Sequence, residues 1–346
     1  MRHPTIAATL LIGAVMVTVP CQSQDTTISN SVFANPGARS LALGGAFAAI
    51  ADDATAAFAN PAGLVQILRP EISAEIRATG SSGPFNAKYT VDGGVSGLGF
   101  ISFVVPTRNW AFALYSHQLG SLNFTFNGPF PQTREFTVRS YSGAAAFQVG
   151  DDLSFGAGLS YFDGDRNTGS GPAEISDADW GFNAGVLWSP SLDWNLAGFY
   201  RQGPGFDSNE TSTQLTFPDT YGIGVAFQPN AGALTVGFEW DQIGEAEDPL
   251  TNGYVVTEGG SEFHLGAEYA VLRWKPVVAF RFGFWREPSR DRHLTIAPDV
   301  VDTTSTDART HVALGFGLAF KRFQIDAGLD ASEDTAIASL SIVYSF

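Results

Sequence analysis

The feature that most constrains the fold is a repeated alternation of bulky apolar residues with small or polar residues. In the segment DTAIASLSIVYSF, Leu340 and Ile342 fall on one face of an extended chain, and Ser339 and Ser341 fall on the other. Successive side chains of a β-strand point to opposite faces, so a period of two residues predicts strands and an all-β chain. The alternation recurs upstream at 180–188, 221–227, 234–241, 262–269, 278–284 and 311–320.

The connections between these segments alternate between short turns and long polar loops. Short turns fall near 106–109, 150–152, 190–192, 229–232, 271–274 and 321–322. Long polar loops fall near 79–95, 119–133, 163–178, 203–219, 243–261 and 286–308. Short turns at one end and long loops at the other are typical of an outer-membrane β-barrel, which favours this fold over a periplasmic β protein.

Segments of about 9 to 12 residues, each long enough to cross a bilayer at a tilt, number about fourteen. Residues 84–92 and 121–126 could be further strands or extensions into the loops. Hydrocarbon offers no hydrogen-bond partner, so the sheet must close into a transmembrane antiparallel barrel with its bulky apolar face outward. Aromatic residues near segment ends fit girdles at the two membrane interfaces: Trp110, Trp188, Trp194, Tyr200, Trp240 and Tyr344.

The flanking segments indicate an exported protein of a diderm (Gram-negative) bacterium. Residues 1–24 have the layout of a secretory signal peptide, with Arg2 and His3 before an apolar run, and Cys21 is the only cysteine. The ending YSF resembles the signal through which the barrel-assembly machinery recognises outer-membrane barrels, here through Phe346. A net charge of −16 argues against nucleic acid as a partner. The expected environment of the predicted barrel is outer-membrane lipid.

Residues 25–69 precede the barrel (70–346) and do not alternate. The stretch GARSLALGGAFAAIADDATAAFANPAGL predicts short helices at 38–50, with a glycine break, and at 54–59, with Asp52 or Asp53 as the N-cap. Asn60 and Pro61 end the second helix, and Gly63 permits a further turn. A small apolar segment of this kind is expected to fill the lumen.

This stretch resembles the start of the FadL-like outer-membrane transport proteins, in which the equivalent segment is a hatch in the barrel. The resemblance implies passive uptake of long-chain fatty acids or similar hydrophobic small molecules through a channel that the hatch gates. It assigns the hatch to Asp52, Asp53, Asn60, Pro61 and Gly63. The same stretch equally resembles the PorV/PorQ-like branch, which implies a scaffold or shuttle in protein secretion or surface attachment, with a secretion-system protein as partner.

Inward-facing charged residues are the remaining candidates for chemistry. Arg77 and Arg281 could hold a fatty-acid carboxylate or could pair with lumen carboxylates. His264 with Glu262 and Glu268 could suggest a metal site, although polar lining is the commoner arrangement. The sequence contains no recognisable catalytic set, so we expect no enzyme, no cofactor and no metal.

Overall fold

Fourteen antiparallel strands close into a barrel in the computed structural model of this chain. The structure describes residues 35–86, 89–93, 96–126, 132–167, 175–208, 213–250, 253–296, 299–333 and 335–346. The predicted signal peptide and the start of the predicted hatch lie outside these residues. The first strand pairs with the last along Glu71–Ser81, which closes the wall.

The barrel strands follow one another around the wall in chain order. They are β1 (Glu71–Asn86), β3 (Ser96–Pro106), β4 (Trp110–Phe126), β5 (Gln132–Val149), β6 (Leu153–Asn167), β7 (Ile175–Ser191), β8 (Trp194–Arg201), β11 (Thr220–Phe227), β12 (Leu234–Ile243), β15 (Gly260–Val271), β16 (Val277–Glu287), β19 (Arg309–Ala319), β20 (Phe323–Ala331) and β21 (Thr335–Ser345). The strand count confirms the prediction of about fourteen.

The two faces of the wall are inverted relative to a soluble protein. Phe280 and Phe282 are 50% and 49% exposed on the outside, whereas Arg281 between them is 5% exposed and points into the lumen. The outer surface is therefore apolar, as a bilayer requires. Among the described residues, no helix has the length and apolar character needed to cross a membrane.

Short connections lie at one end of the barrel, here called the short-turn end. Trp110, Trp188, Trp194 and Tyr344 are exposed beside it and form one aromatic girdle. One of the short connections contains helix α3 (Pro229–Gly232).

The opposite end, here called the loop end, is more ordered than the predicted polar loops suggest. Its connections contain β2 (Tyr89–Gly93), β9 (Gly205–Ser208), β10 (Thr213–Thr216), β13 (Ala246–Leu250), β14 (Gly253–Thr257), β17 (Arg290–Ile296) and β18 (Asp299–Thr306). Strands β13, β14, β17 and β18 form a separate sheet, and β9 pairs with β10. Residues 84–92 join the end of β1 to β2, and 121–126 extend β4. These strands are only four to eight residues long, so their sequences carry too little alternation to predict them.

Residues 35–70, here called the lumen segment, lie inside the barrel and are largely buried. The segment contains α1 (Ala38–Ala42), α2 (Ala56–Ala59) and a 3-10 helix (Pro61–Gln66). The predicted helix over 38–50 begins at Ala38 and is interrupted, as expected, at Gly44 and Gly45, which adopt positive φ, but it does not resume, because residues 48–50 form a turn. The second helix begins at Ala56 with Thr55, and neither aspartate, as its N-cap.

Candidate functional site

The lumen segment is seated against a ring of wall glycines, here called the glycine belt. A Cβ atom added to Gly283 would collide with the backbone of Leu43 and Gly44, and one added to Gly266 would collide with the Leu43 carbonyl. At these glycines the wall has no side chains on its inner face, and the backbone of the lumen segment occupies the space that they would fill. The belt contains Gly156, Gly185, Gly224, Gly237, Gly266, Gly283, Gly315 and Gly328.

Polar side chains of the wall bind the backbone of the lumen segment, which has little regular structure to satisfy its own peptide groups. Asn183 Nδ2 donates to the carbonyls of Ala57 and Phe58 at 2.9 and 3.1 Å. Asn195 Nδ2 donates to the carbonyl of Ala49 at 3.1 Å. Without these bonds, the buried carbonyl groups would have no hydrogen-bond partner in place of water.

Buried carboxylates bind the donors of the same backbone. Glu239 Oε2 accepts the N–H groups of Phe47 and Ala48 at 2.8 and 2.6 Å. Glu75 Oε2 accepts the N–H of Gly37 at 2.9 Å. Neither glutamate was predicted from the sequence to bind this backbone. An isolated polar residue on the small face of a strand was the only available signal.

A chain of alternating charges ties the lumen segment to the wall at the short-turn end. Arg39 pairs with Asp52 within the segment and donates to Glu268 of β15. Glu268 also accepts Arg281 Nε at 2.5 Å, and Arg281 NH1 donates to Asp326 at 2.7 Å. All of these wall side chains are buried. The network binds the segment simultaneously to β15, β16 and β20.

Asp53 has a local role beside this network. Its Oδ1 accepts the N–H and the hydroxyl of Thr55 at 2.9 and 2.5 Å. Burial raises the pKa of the Asp53 carboxyl, with Arg39 acting in the opposite direction. The two adjacent aspartates of the motif therefore differ, since Asp52 forms an ion pair and Asp53 fixes a turn.

Asn60, Pro61 and Gly63 shape the second half of the segment. Asn60 is extended and fully buried, donates to the Ala48 and Val186 carbonyls at 2.9 and 3.2 Å, and accepts the Ala62 N–H. Pro61 begins the 3-10 helix. Gly63 is not at a positive φ, as a turn glycine would be. Instead, a Cβ there would collide with the carbonyl of Ala51, so the residue is needed for close packing.

The two candidate arginines are both paired within the protein. Arg77 donates to Glu75 at 2.9 Å and to the Asn35 carbonyl at 2.8 Å, and Arg281 is held by Glu268 and Asp326. Neither lines the cavity described next. Of the two interpretations left open for these arginines, this geometry favours neutralisation of lumen carboxylates over capture of a fatty acid.

A cavity lies between the lumen segment and the loop end. It has an empty volume of about 960 Å³, which includes open solvent. Phe162 and Ile243, which line it, lie toward the loop end of β6 and β12, beyond the belt glycines Gly156 and Gly237 of the same strands. The other apolar lining residues, apart from glycines, are Leu41, Phe58, Leu119, Pro218, Trp285 and Ile337.

His264 contacts both the lumen segment and this cavity. Its Nδ1 lies 2.7 Å from the carbonyl oxygen of Gly44, and its Nε2 lies 3.6 Å from Glu262 and 3.8 Å from Asp241. The third member of the predicted cluster, Glu268, is bound by arginines. The structure therefore groups His264 with Asp241 and Glu262.

Among the described residues, one group brings three potential metal ligands together. Atoms of Glu258, Asp291 and His293 lie within 4.8 Å of one another at the loop end. His293 Nε2 is 3.2 Å from Glu258, and Nδ1 is 3.1 Å from the Thr303 hydroxyl. These side chains are partly exposed and lie outside the lumen.

The fold and the filled lumen define a plugged fourteen-stranded barrel. The structure is similar to a FadL homologue of Pseudomonas aeruginosa, with TM-score 0.68 and 14% identity over 89% of this chain and 98% of that chain. It is also similar to the Ralstonia pickettii toluene transporter TbuX, with TM-score 0.67 and 16% identity over 91% and 99%.

A third similar structure is the Pseudomonas putida toluene transporter TodX, with TM-score 0.64 and 13% identity over 90% of this chain and 97% of that chain. This chain therefore has the FadL-like fold that the N-terminal stretch predicted. No protein-family model matches the sequence, and no curated protein matches it.

Proposed function

We propose that this chain is a channel of the Gram-negative outer membrane for passive uptake of apolar small molecules. The observation that carries the proposal is the cavity at the loop end, which is lined by Phe58, Phe162 and Ile243 and lies directly against the lumen segment. The likeness to toluene transporters supports the same class of ligand. We include long-chain fatty acids among these apolar molecules, although the paired arginines do not favour binding of their carboxylate.

We further propose that the lumen segment is the hatch of this channel. It lies in the lumen between the cavity and the short-turn end, and at the glycine belt its backbone lies directly against the wall. A molecule that leaves the cavity along the barrel axis must therefore displace the segment. The displacement must break the Arg39–Glu268 ion pair and the bonds from Asn183 and Asn195.

A reversible disulfide tests the hatch. A Cβ built on Gly224 would lie 3.6 Å from the Cβ of Ala48, which is within the range that disulfides span. The double variant Ala48→Cys/Gly224→Cys should take up labelled toluene when reduced and lose uptake when oxidised. Each single cysteine variant is the matched control and should not respond to oxidation.

Two outcomes would contradict these proposals separately. Uptake no faster than in cells without the protein would exclude the channel. Uptake that is unchanged after complete oxidation of the double variant would exclude gating by the segment while leaving the channel intact. The alternative role in protein secretion rests on the sequence resemblance and stays a prediction.

A further inference from the structure

The rim of the barrel at the short-turn end is divided by charge. Four connections that follow one another around this rim contain six basic residues and no acidic residue. These residues, here called the basic arc, are Arg69 before β1, Arg108 between β3 and β4, Arg273 and Lys275 between β15 and β16, and Lys321 and Arg322 between β19 and β20. In a chain with a net charge of −16, the basic arc is a local reversal of the overall charge.

The adjoining part of the same rim is acidic. The next two connections, between β5 and β6 and between β7 and β8, contain Asp151, Asp152 and Asp193 and no basic residue. These three side chains are exposed. The two sides of the barrel therefore present opposite charges at the short-turn end.

The side chains of the basic arc are exposed and have no partner within the protein. Among the described residues, no ion pair and no side-chain hydrogen bond engages any of the six. The arginines of the lumen differ, because Arg39 and Arg281 are both held by Glu268. The charges of the basic arc are therefore available to a partner outside the chain.

Exposed aromatic rings lie on the same turns as these charges. Trp274, between Arg273 and Lys275, is 47% exposed. Phe320 and Phe323 flank the next turn, and their rings stack with centroids 4.2 Å apart. Aromatic rings on the outside of a membrane protein lie at the level of the lipid headgroups, and flanking basic side chains extend toward the lipid phosphates. The aromatic rings therefore place the basic arc at the height of the phosphate groups.

We infer that the basic arc binds anionic phospholipids, with their phosphate groups on its arginine and lysine side chains and their acyl chains against the apolar outer wall. Phosphate oxygens accept charge-assisted hydrogen bonds from these donors. A zwitterionic lipid carries a cation next to its phosphate, so it gains less from the same contacts. An acidic protein would match the charge but would leave the exposed rings of the same turns without a role.

This inference concerns the lipid around the barrel and goes beyond the proposed uptake. It requires that the barrel spans a membrane, and it does not depend on which small molecule the lumen admits. The acidic side of the rim should repel the same headgroups. Bound anionic lipid is therefore expected on one side of the barrel.

Competition between two lipids tests the inference on the full chain. The protein is reconstituted in nanodiscs of equimolar phosphatidylglycerol and phosphatidylcholine with identical acyl chains. It is then released into mild detergent, and the lipids that stay bound are identified by native mass spectrometry. Phosphatidylglycerol should be retained at least about fivefold more than phosphatidylcholine, since one basic residue near anionic headgroups contributes about this factor. Equal retention of the two lipids would overturn the inference.

A charge-removing variant locates the lipid. Arg273→Gln/Lys275→Gln should reduce the preference for phosphatidylglycerol at least about threefold. Lys321 and Arg322 are left in place, because they also border a polar space inside the mouth of the barrel. Arg286→Gln/Arg292→Gln removes the same charge from the loop end and is the matched control, which should keep the wild-type preference. An unchanged preference in Arg273→Gln/Lys275→Gln would exclude the assigned position.

The outcomes separate this inference from the channel proposal. The lipid measurement involves no uptake, so a wild-type protein that does not transport toluene can still show the lipid preference. Conversely, equal retention of the two lipids would leave the channel proposal intact. The wild-type comparison needs no variant, so it decides the lipid class even if Arg273→Gln/Lys275→Gln does not form a barrel that migrates faster on a gel unheated than boiled.

Discussion

Arg39 of the lumen segment donates through Nε and NH2 to the two carboxylate oxygens of Glu268 in β15, at 2.9 and 3.1 Å. This bidentate pair joins residues 229 positions apart in the chain. Glu268 is shared with Arg281, so one carboxylate lies between two guanidinium groups. The ion-paired attachment of Arg39 to the wall therefore depends on that single negative charge.

Removal of this charge should release the segment. In Glu268→Gln, Arg39 keeps Asp52 and Arg281 keeps Asp326, but the carboxylate between the two guanidinium groups is lost, at a cost on the order of 3 kcal/mol for a broken buried pair. Hydrogen–deuterium exchange should show faster exchange across residues 38–53, with the barrel strands still protected. Glu333→Gln is the control for the lost charge, and unchanged protection in Glu268→Gln would contradict a holding role for the ion pair.

A side chain in the glycine belt should displace the segment by steric overlap. Gly283→Val places its Cβ against the backbone of Leu43 and Gly44, which cannot move like the end of a flexible side chain. We expect reconstituted channels of this variant to leak small ions. Gly143→Ala is the control, since a Cβ there makes only ordinary contacts, with Leu114 Cδ2 at 3.6 Å and the Ala113 carbonyl oxygen at 3.9 Å. A leak equal in both variants would exclude the belt as the seat of the segment.

Both the donor and the acceptor atoms of the Asn60 side chain should stabilise the seated segment. Asn60→Ala leaves the Ala48 and Val186 carbonyls without their donor and should destabilise the seated segment by about 1–3 kcal/mol. Asn60→Asp keeps an acceptor for the Ala62 N–H but lacks the donors. Its destabilisation of the seated segment should therefore be close to that of the alanine variant. Exchange rates of residues 46–62 measure both effects. Wild-type exchange in Asn60→Asp would show that the donors contribute nothing.

The seating of the segment should depend on pH through Asp53. Its raised pKa means that the seated segment holds the proton more tightly than a displaced, hydrated segment does. The stabilisation is therefore complete below the ordinary carboxyl pKa of about 3.9 and is lost as pH rises through the raised value. Ion leak should increase with pH over that interval, and Asp53→Asn should flatten this part of the profile. A profile identical to wild type would exclude Asp53 as the group.

Much of the wall followed from the sequence, because most crossing strands alternate a bulky with a small face, as the Phe280, Arg281, Phe282 series shows. The lumen segment was harder to predict. Its helices are short, and contacts with the wall set where they end. Gly63 is needed for close packing against Ala51, which no local sequence pattern predicts. The grouping of Asp241 with His264 and Arg201 could not be predicted, because it depends on the register of three different strands.

The contacts of the lumen segment also constrain how the protein is assembled. Ala38 donates its N–H to Ser341 of β21, 303 residues further along the chain, while β1 begins directly after the segment and pairs with that same strand. Contacts so distant in sequence form late. The wall cannot close around an empty interior and receive the segment afterwards without threading it through one mouth. We therefore expect barrel closure and filling of the lumen to be coupled during biogenesis, so that variants that unseat the segment also mature slowly.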